Sequence, residues 1–183
     1  MQTRTKQYQH TFGHVPLIVE GECYSRSLLR ERNAHGLSQK GVSGNVGEGA
    51  DAIIVSRQSR ECREKDGFAW LYYTSTRLQG GGALCESYRN GRSVRVFRPS
   101  RLDGAYKAVS SNAAKSATYR YDGLYKVVQV LDEKGLPTED KIPVSFKRIP
   151  KHQQVAYTFR LERLTEGNSL STDELLRKIR VPD

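Results

Sequence analysis

The chain has 183 residues, 37% of them hydrophobic and 9% aromatic, with 30 Lys or Arg against 20 Asp or Glu and a formal net charge of +10. That length suits one domain of about 100–200 residues with a buried core, and the aromatic share excludes a disordered tail. No apolar run approaches the ~20 residues of a bilayer span, and the start of the chain is polar, so neither a membrane span nor a secretory signal is expected.

In chain order, residues 1–11 read as a basic N-terminal arm and residues 12–183 as one domain. Ser25 to Arg32 is expected to make one or two helical turns. Gly36 to Asp51 holds five glycines, at 36, 41, 44, 47 and 49, and reads as a long loop with tight turns. Ala52 to Ser56 (AIIVS) is a short apolar run and a buried strand. Arg57 to Gly67 is charged and predicts a second loop. Phe68 to Thr74 (FAWLYYT) is an aromatic-rich strand. Gly80 to Gly82 reads as a turn and Ala83 to Tyr88 as a short helix. Ser93 to Arg98 (SVRVFR) alternates as a half-buried strand does. Tyr121 to Val130, Val144 to Ile149 and Val155 to Leu164 are further strands, with a turn-rich excursion over Gly135 to Pro143. Asp173 to Ile179 is a terminal helix capped by Ser171 or Thr172. Many short strands and few helices predict a curled, barrel-like mixed β domain.

Cys23, Cys62 and Cys85 are far apart, which argues against a disulfide framework or a Cys-based zinc site. His10, His14, His35 and His152 show no ligand spacing, so no metal is expected. Of the 30 basic residues, 19 are Arg, and the sequence pI is near 9.6. Arg presents a planar fork that matches phosphate oxygens two at a time, so the charge points to nucleic acid. Arg89, Arg92, Arg95, Arg98 and Arg101 recur every third residue, some of them on the outward side of SVRVFR.

Several motifs resemble one family in order and spacing. Tyr121-Asp122-Gly123-Leu124-Tyr125-Lys126-Val127 is similar to the motif that gives the YDG domain its name. Phe12-Gly13-His14-Val15-Pro16 resembles its opening. His35, Gly41-Val42-Ser43-Gly44 and Gly49-Ala50-Asp51-Ala52-Ile53-Ile54-Val55-Ser56 resemble its loop and strand. Gly82-Ala83-Leu84, Gly91 to Arg98 and Tyr157 to Leu164 follow in register. From Phe12 to Leu164 the chain thus resembles the SET- and RING-associated (SRA/YDG) domain. The resemblance implies an α+β fold, a curled, PUA-like β-barrel flanked by a few short helices. It implies a nuclear DNA-binding reader of 5-methylcytosine in hemimethylated CpG duplexes, acting in methylation maintenance or epigenetic silencing. Such a reader is no enzyme and needs no cofactor. It binds as a monomer on double-stranded DNA, with a DNA methyltransferase or chromatin protein as partner.

The resemblance also implies roles for residues. A flipped base loses stacking and pairing worth a few kcal/mol, which the pocket must replace. Tyr73 would supply a stacking face worth roughly 1–3 kcal/mol, with Thr74 beside it. Cytosine N4 donates to a carboxylate, for which Glu64 ranks first, Glu61 second and Asp66 third. Ser56 leads into that loop, and Ser59 stands where the family has a second aromatic. Gln39, with Lys40, would enter the hole in the duplex and hydrogen-bond the orphaned guanine. Arg77 would reach a guanine edge or a phosphate. Arg57, Arg60, Arg63 and Arg92 would hold phosphates. Asp122 and Gly123 read as structural, with Asp122 bonding backbone amides. Two alternatives stay open. The base is another modified cytosine, such as 5-hydroxymethylcytosine, or the chain is a scaffold and protein-interaction module with nonspecific DNA binding.

Overall fold

The computed structural model describes residues 8–36, 41–55, 69–75, 78–99, 118–138, 142, 156–165 and 170–179. The elements run β1 (Cys23–Ser25), α1 (Arg26–Glu31), β2 (Val42–Asn45), β3 (Gly49–Ile54), β4 (Trp70–Ser75), α2 (Leu78–Asn90), β5 (Ser93–Pro99), β6 (Thr118–Leu131), β7 (Tyr157–Arg163) and α3 (Thr172–Ile179). They build one sheet in the order β2-β3-β5-β6-β7-β4. The long strand β6 has β5 along one edge and β1, then β7, along the other. Pairing is antiparallel throughout except for the parallel β3–β5 pair.

The sheet curls until its edge strands approach. A Cβ placed on Gly41 would lie 2.7 Å from the Tyr73 hydroxyl. Gly80 of α2 fills the seam, where a Cβ would stand 3.1 Å from both Val42 and Ser75. Inside the curl Ile53, Leu71, Tyr73, Val96, Val127 and Phe159 form one core. Leu29, Ala34, Ala52, Phe97 and Tyr121 form a second on the other face, beneath the N-terminal segment. This is the curled α+β arrangement with few helices that the sequence predicts.

Three local expectations are corrected. The glycine-rich stretch 36–51 is not all loop, since it contains β2 and the first residues of β3. Its glycines serve a hairpin whose turn is held by Asn45, with the side-chain oxygen accepting from the amides of Gly47 (2.9 Å) and Glu48 (2.8 Å). Gly80 to Gly82 are not a turn but lie in α2. Each glycine costs a helix about 1 kcal/mol against Ala, and at Gly80 the close approach to Val42 of β2 and Ser75 of β4 leaves little room for a Cβ. Finally, β5 is buried on both faces rather than one.

The helix ends follow from side-chain capping. The Ser25 hydroxyl accepts from the amide of Leu28 at 3.3 Å. At α3 the cap is Ser171, whose hydroxyl accepts from the Glu174 amide (3.2 Å) while the Glu174 carboxylate accepts from the Ser171 amide (2.8 Å). That reciprocal pair is a capping box. Buried Leu175 and a Lys178 ammonium donating to the Glu20 carbonyl (2.7 Å) dock this helix on the N-terminal segment. The predicted strand Val144 to Ile149 lies outside the described residues.

Candidate nucleic-acid interface

One end of the curl gathers the roots of two segments. The amide of Ile54, at the end of β3, donates to the carbonyl of Gly41 at 2.6 Å. Gly41 and Ile54, 13 positions apart in the chain, therefore lie side by side. Tyr73 points to this place because β4 alternates, sending Leu71, Tyr73 and Ser75 inward. Its hydroxyl stands against Gly41 and near the Ile54 carbonyl. The ring itself is only 5% exposed and belongs to the inner core. Among the described residues it is a wall, not an open platform.

Thr74 does not share that position. The same alternation turns its side chain to the outer face, where its hydroxyl lies 2.8 Å from that of Thr158. There it lines a separate cavity of about 440 Å³ with Tyr72, Leu131, Asp132, Glu133 and Thr158. Only the main chain of Thr74 adjoins the surroundings of Tyr73. Arg92 lies elsewhere again. Its guanidinium donates to the Glu48 carbonyl (2.6 Å) and sits 4.3 Å above the Phe12 ring. Glu48 precedes β3, so Arg92 is at the opposite end of that strand from Ile54, about 17 Å away at strand rise.

Two arginines of the every-third series are interior rather than outward. Arg95 and Arg98 are fully buried. Arg95 donates to the carbonyls of Ala34 (3.0 Å) and Gly13 (2.7 Å) and lies 3.9 Å from the Asp51 carboxylate. Arg98 pairs with Asp122, which Arg120 also grips at 2.7 Å. Asp122 thus serves two guanidinium groups through its side chain, not backbone amides as its motif suggests. Its carbonyl accepts from Arg163 at 3.0 Å, and Arg163 in turn pairs with Glu20 at 2.7 Å. Gly123 has φ +104°, and a Cβ there would fall 2.6 Å from the Glu20 carboxylate. Glycine is required here by backbone and by space. Among the described residues, four buried arginines thus face the buried carboxylates Glu20, Asp51 and Asp122. Four arginines against three carboxylates leave the described interior only one net positive charge.

A model of the SAD/SRA domain matches residues 11–154. This chain belongs to the SAD/SRA domain family. No curated protein sequence matches it. Among solved structures, the SAD/SRA chain is similar to the modification-dependent TagI restriction endonuclease, with 27% identity, a TM-score of 0.61, and coverage of 87% of this chain and 54% of that one. It is similar to the SUVH5 SRA domain in complex with methylated CHH DNA, with 21% identity, a TM-score of 0.58, and coverage of 88% and 99%. It also resembles KRYPTONITE in complex with mCHG DNA and SAH, with 21% identity, a TM-score of 0.62, and coverage of 90% and 36%. The chain therefore spans about half the length of TagI and about a third of KRYPTONITE.

Of the site residues predicted for this SAD/SRA domain, Tyr73, Thr74 and Arg92 are described, and the structure does not bring their side chains together. Ser56, Arg57, Ser59, Arg60, Glu61, Arg63, Glu64, Asp66, Gln39, Lys40 and Arg77 lie outside the described residues. Sequence reasoning gave no role to Asp51, which is fully buried in β3 and takes the Tyr8 hydroxyl at 2.7 Å and the His10 ring at 2.9 Å. A carboxylate inside the apolar run Ala50 to Val55 was the available signal, since a buried charge must find partners. Nearby, His35 is held at a pKa of about 4, chiefly because burial disfavours its charged form. Burial likewise pushes the Cys85 thiol up to about 12, which makes it a poor nucleophile.

Proposed function

We propose that this SAD/SRA domain reads 5-methylcytosine in duplex DNA by flipping the base into the end of the curl walled by Tyr73. One observation carries the reading: the Tyr73 phenol lies where the roots of segments 37–40 and 56–68 meet. An extrahelical pyrimidine needs an aromatic wall and neighbouring polar chain in one place, and the segments carrying the predicted base-edge and inserting residues join the described chain next to Gly41 and Val55, close to Tyr73. Family membership supports it. So do the names of the similar structures, a modification-dependent endonuclease and two complexes with methylated DNA. The net charge of +10 favours phosphate affinity. The chain itself contributes binding, and no catalytic step is assigned to it. On this reading it acts as a monomer on hemimethylated CpG DNA in the nucleus and directs a methyltransferase or chromatin protein there.

A second reading rests on the 5% exposure of Tyr73. A ring that stays closed leaves an interaction module with charge-driven DNA affinity alone. Titration with unmethylated, hemimethylated and fully methylated duplexes at fixed salt separates the two. Tighter binding of a methylated duplex supports the reader, with the hemimethylated duplex expected to bind best. Equal affinity for all three supports the interaction module and sinks the reader.

A further inference from the structure

The cavity of about 440 Å³ lies on the outer face of β4, away from Tyr73. Its size falls within the range of about 300–1,000 Å³ typical of ligand sites. The strands supply its floor. Alternation turns Tyr72 and Thr74 of β4 and Thr158 of β7 to this face, and the register sets Thr74 opposite Thr158, with the two hydroxyls 2.8 Å apart. The turn that follows β6 supplies the wall. Asp132 builds that turn, its Oδ1 accepting from the amides of Lys134 and Leu136, both at 2.9 Å. Glu133 is tied across to the start of β7, its Oε1 accepting from the Ala156 amide at 3.3 Å. Each carboxylate is thus held through one oxygen. Among the described residues the second oxygen of each, and the Tyr72 hydroxyl, make no hydrogen bond, and Lys134 pairs with neither acid.

We propose that this cavity is a docking site for a basic side chain, lysine or arginine, carried by a segment of a protein partner. Two acids against one lysine leave the lining negative on a chain of net charge +10. That sign repels the phosphates of DNA and attracts a cation. The apolar stem of such a side chain has Tyr72 and Leu131 to lie on, while its charged head meets Asp132 and Glu133. Because the carboxylates are already fixed by backbone amides, little freedom is lost when the cation arrives. A partner segment, rather than a free small cation, is indicated by what adjoins the cavity. Trp70, the next outward residue of β4, meets Tyr72 edge-on at 5.3 Å, and Arg160 lies 5.6 Å over the Trp70 ring while pairing with Glu162 at 2.7 Å. From Thr74 to Trp70 this strip runs about 13 Å at strand rise, the length of about four extended residues. Trp, Tyr and Arg are the side chains that carry most binding energy at protein interfaces. The proposal does not depend on the reader assignment, since no residue of it faces Tyr73.

The test titrates the isotope-labelled full chain with acetyl-Gly-Ala-Lys-Ala-Gly-amide, with the same peptide carrying norleucine in place of lysine, and with n-butylammonium chloride, at fixed low salt. Backbone amide NMR shifts locate binding and give affinity. The lysine peptide is expected to produce saturable shifts at residues 72–74, 132–135 and 156–158, and the norleucine peptide to bind at least about fivefold more weakly. Glu133→Gln keeps an acceptor for Ala156 and is expected to weaken the lysine peptide about two- to fivefold, whereas Lys134→Gln is expected to tighten it by a similar factor. Tm recorded for each variant checks that the fold is intact. No saturable shift at those residues, equal affinity for the norleucine peptide, or changes of the same sign in the two variants would overturn the proposal. Binding of n-butylammonium as tight as that of the lysine peptide would overturn the assignment to a protein segment.

Discussion

Replacing Asp122 by Asn tests the buried charge arrangement that holds β5, β6 and β7 together. In the native chain one carboxylate, fully buried, faces two guanidinium groups, Arg98 and Arg120. Arg98 also hydrogen-bonds the Tyr125 hydroxyl, whose burial raises its pKa and keeps it a neutral partner. The amide side chain retains one acceptor but turns an NH₂ toward guanidinium donors. It also leaves two buried cations without their counter-charge. Breaking a buried pair by removing one partner costs about 3–5 kcal/mol. For a domain of this length each kcal/mol lowers Tm by roughly 2–4 °C, so a fall of about 6–20 °C is expected. Urea denaturation with thermal unfolding measures it. The companion variant Asp122→Asn/Arg120→Met removes one orphaned cation and is expected to recover part of the loss, giving a non-zero coupling between the two sites. A loss under about 1 kcal/mol, or strictly additive single variants, would refute the assignment of Asp122 as the shared counter-ion.

Three further outcomes follow from the same structure. His35 is neutral when folded, with a pKa of about 4 against 6.5 for the free side chain. Between those values the unfolded chain binds the proton and the folded chain does not, so stability falls as pH drops from about 6.5 to about 4, by up to 1.4 kcal/mol per pH unit. Denaturation curves across that window are expected to show the slope in the wild type and its loss in His35→Gln. Tyr73→Leu keeps an apolar wall while removing the aromatic face, and is expected to reduce methylated-duplex affinity by about 5- to 150-fold while sparing unmethylated binding. Equal weakening of both duplexes would exclude a base-stacking role. Arg57→Ala is expected to weaken both duplexes alike and to lower the slope of log affinity against log salt by about 1. An unchanged slope would remove Arg57 from the phosphate ligands.

The sequence announced its strands where periodicity and apolarity agreed. Residues 93–98, 121–130 and 155–164 all became strands within a few residues of the expected ends. It misled where tertiary packing overrode a local rule. Gly80 to Gly82 look like a breaker but lie in α2, where Gly80 lets the helix approach Val42 and Ser75. Arg95 and Arg98 look like outward strand positions because their partners, Gly13, Ala34 and Asp122, are distant in the chain. The Tyr73-Thr74 pair reads as one site, yet strand alternation sends the two side chains to opposite faces. The Tyr8–Asp51 hydrogen bond was invisible for a similar reason. Tyr8 and Asp51 are 43 positions apart, and only a hairpin and a curled sheet bring them together.

The central claim is that a methylated cytosine leaves the duplex when this domain binds. A duplex carrying 2-aminopurine stacked beside the 5-methylcytosine reports that event directly, because losing its neighbour relieves quenching. Saturating protein is expected to raise the emission strongly on the methylated duplex and little on the unmethylated one. Saturation of the methylated duplex with no rise in emission would contradict the account.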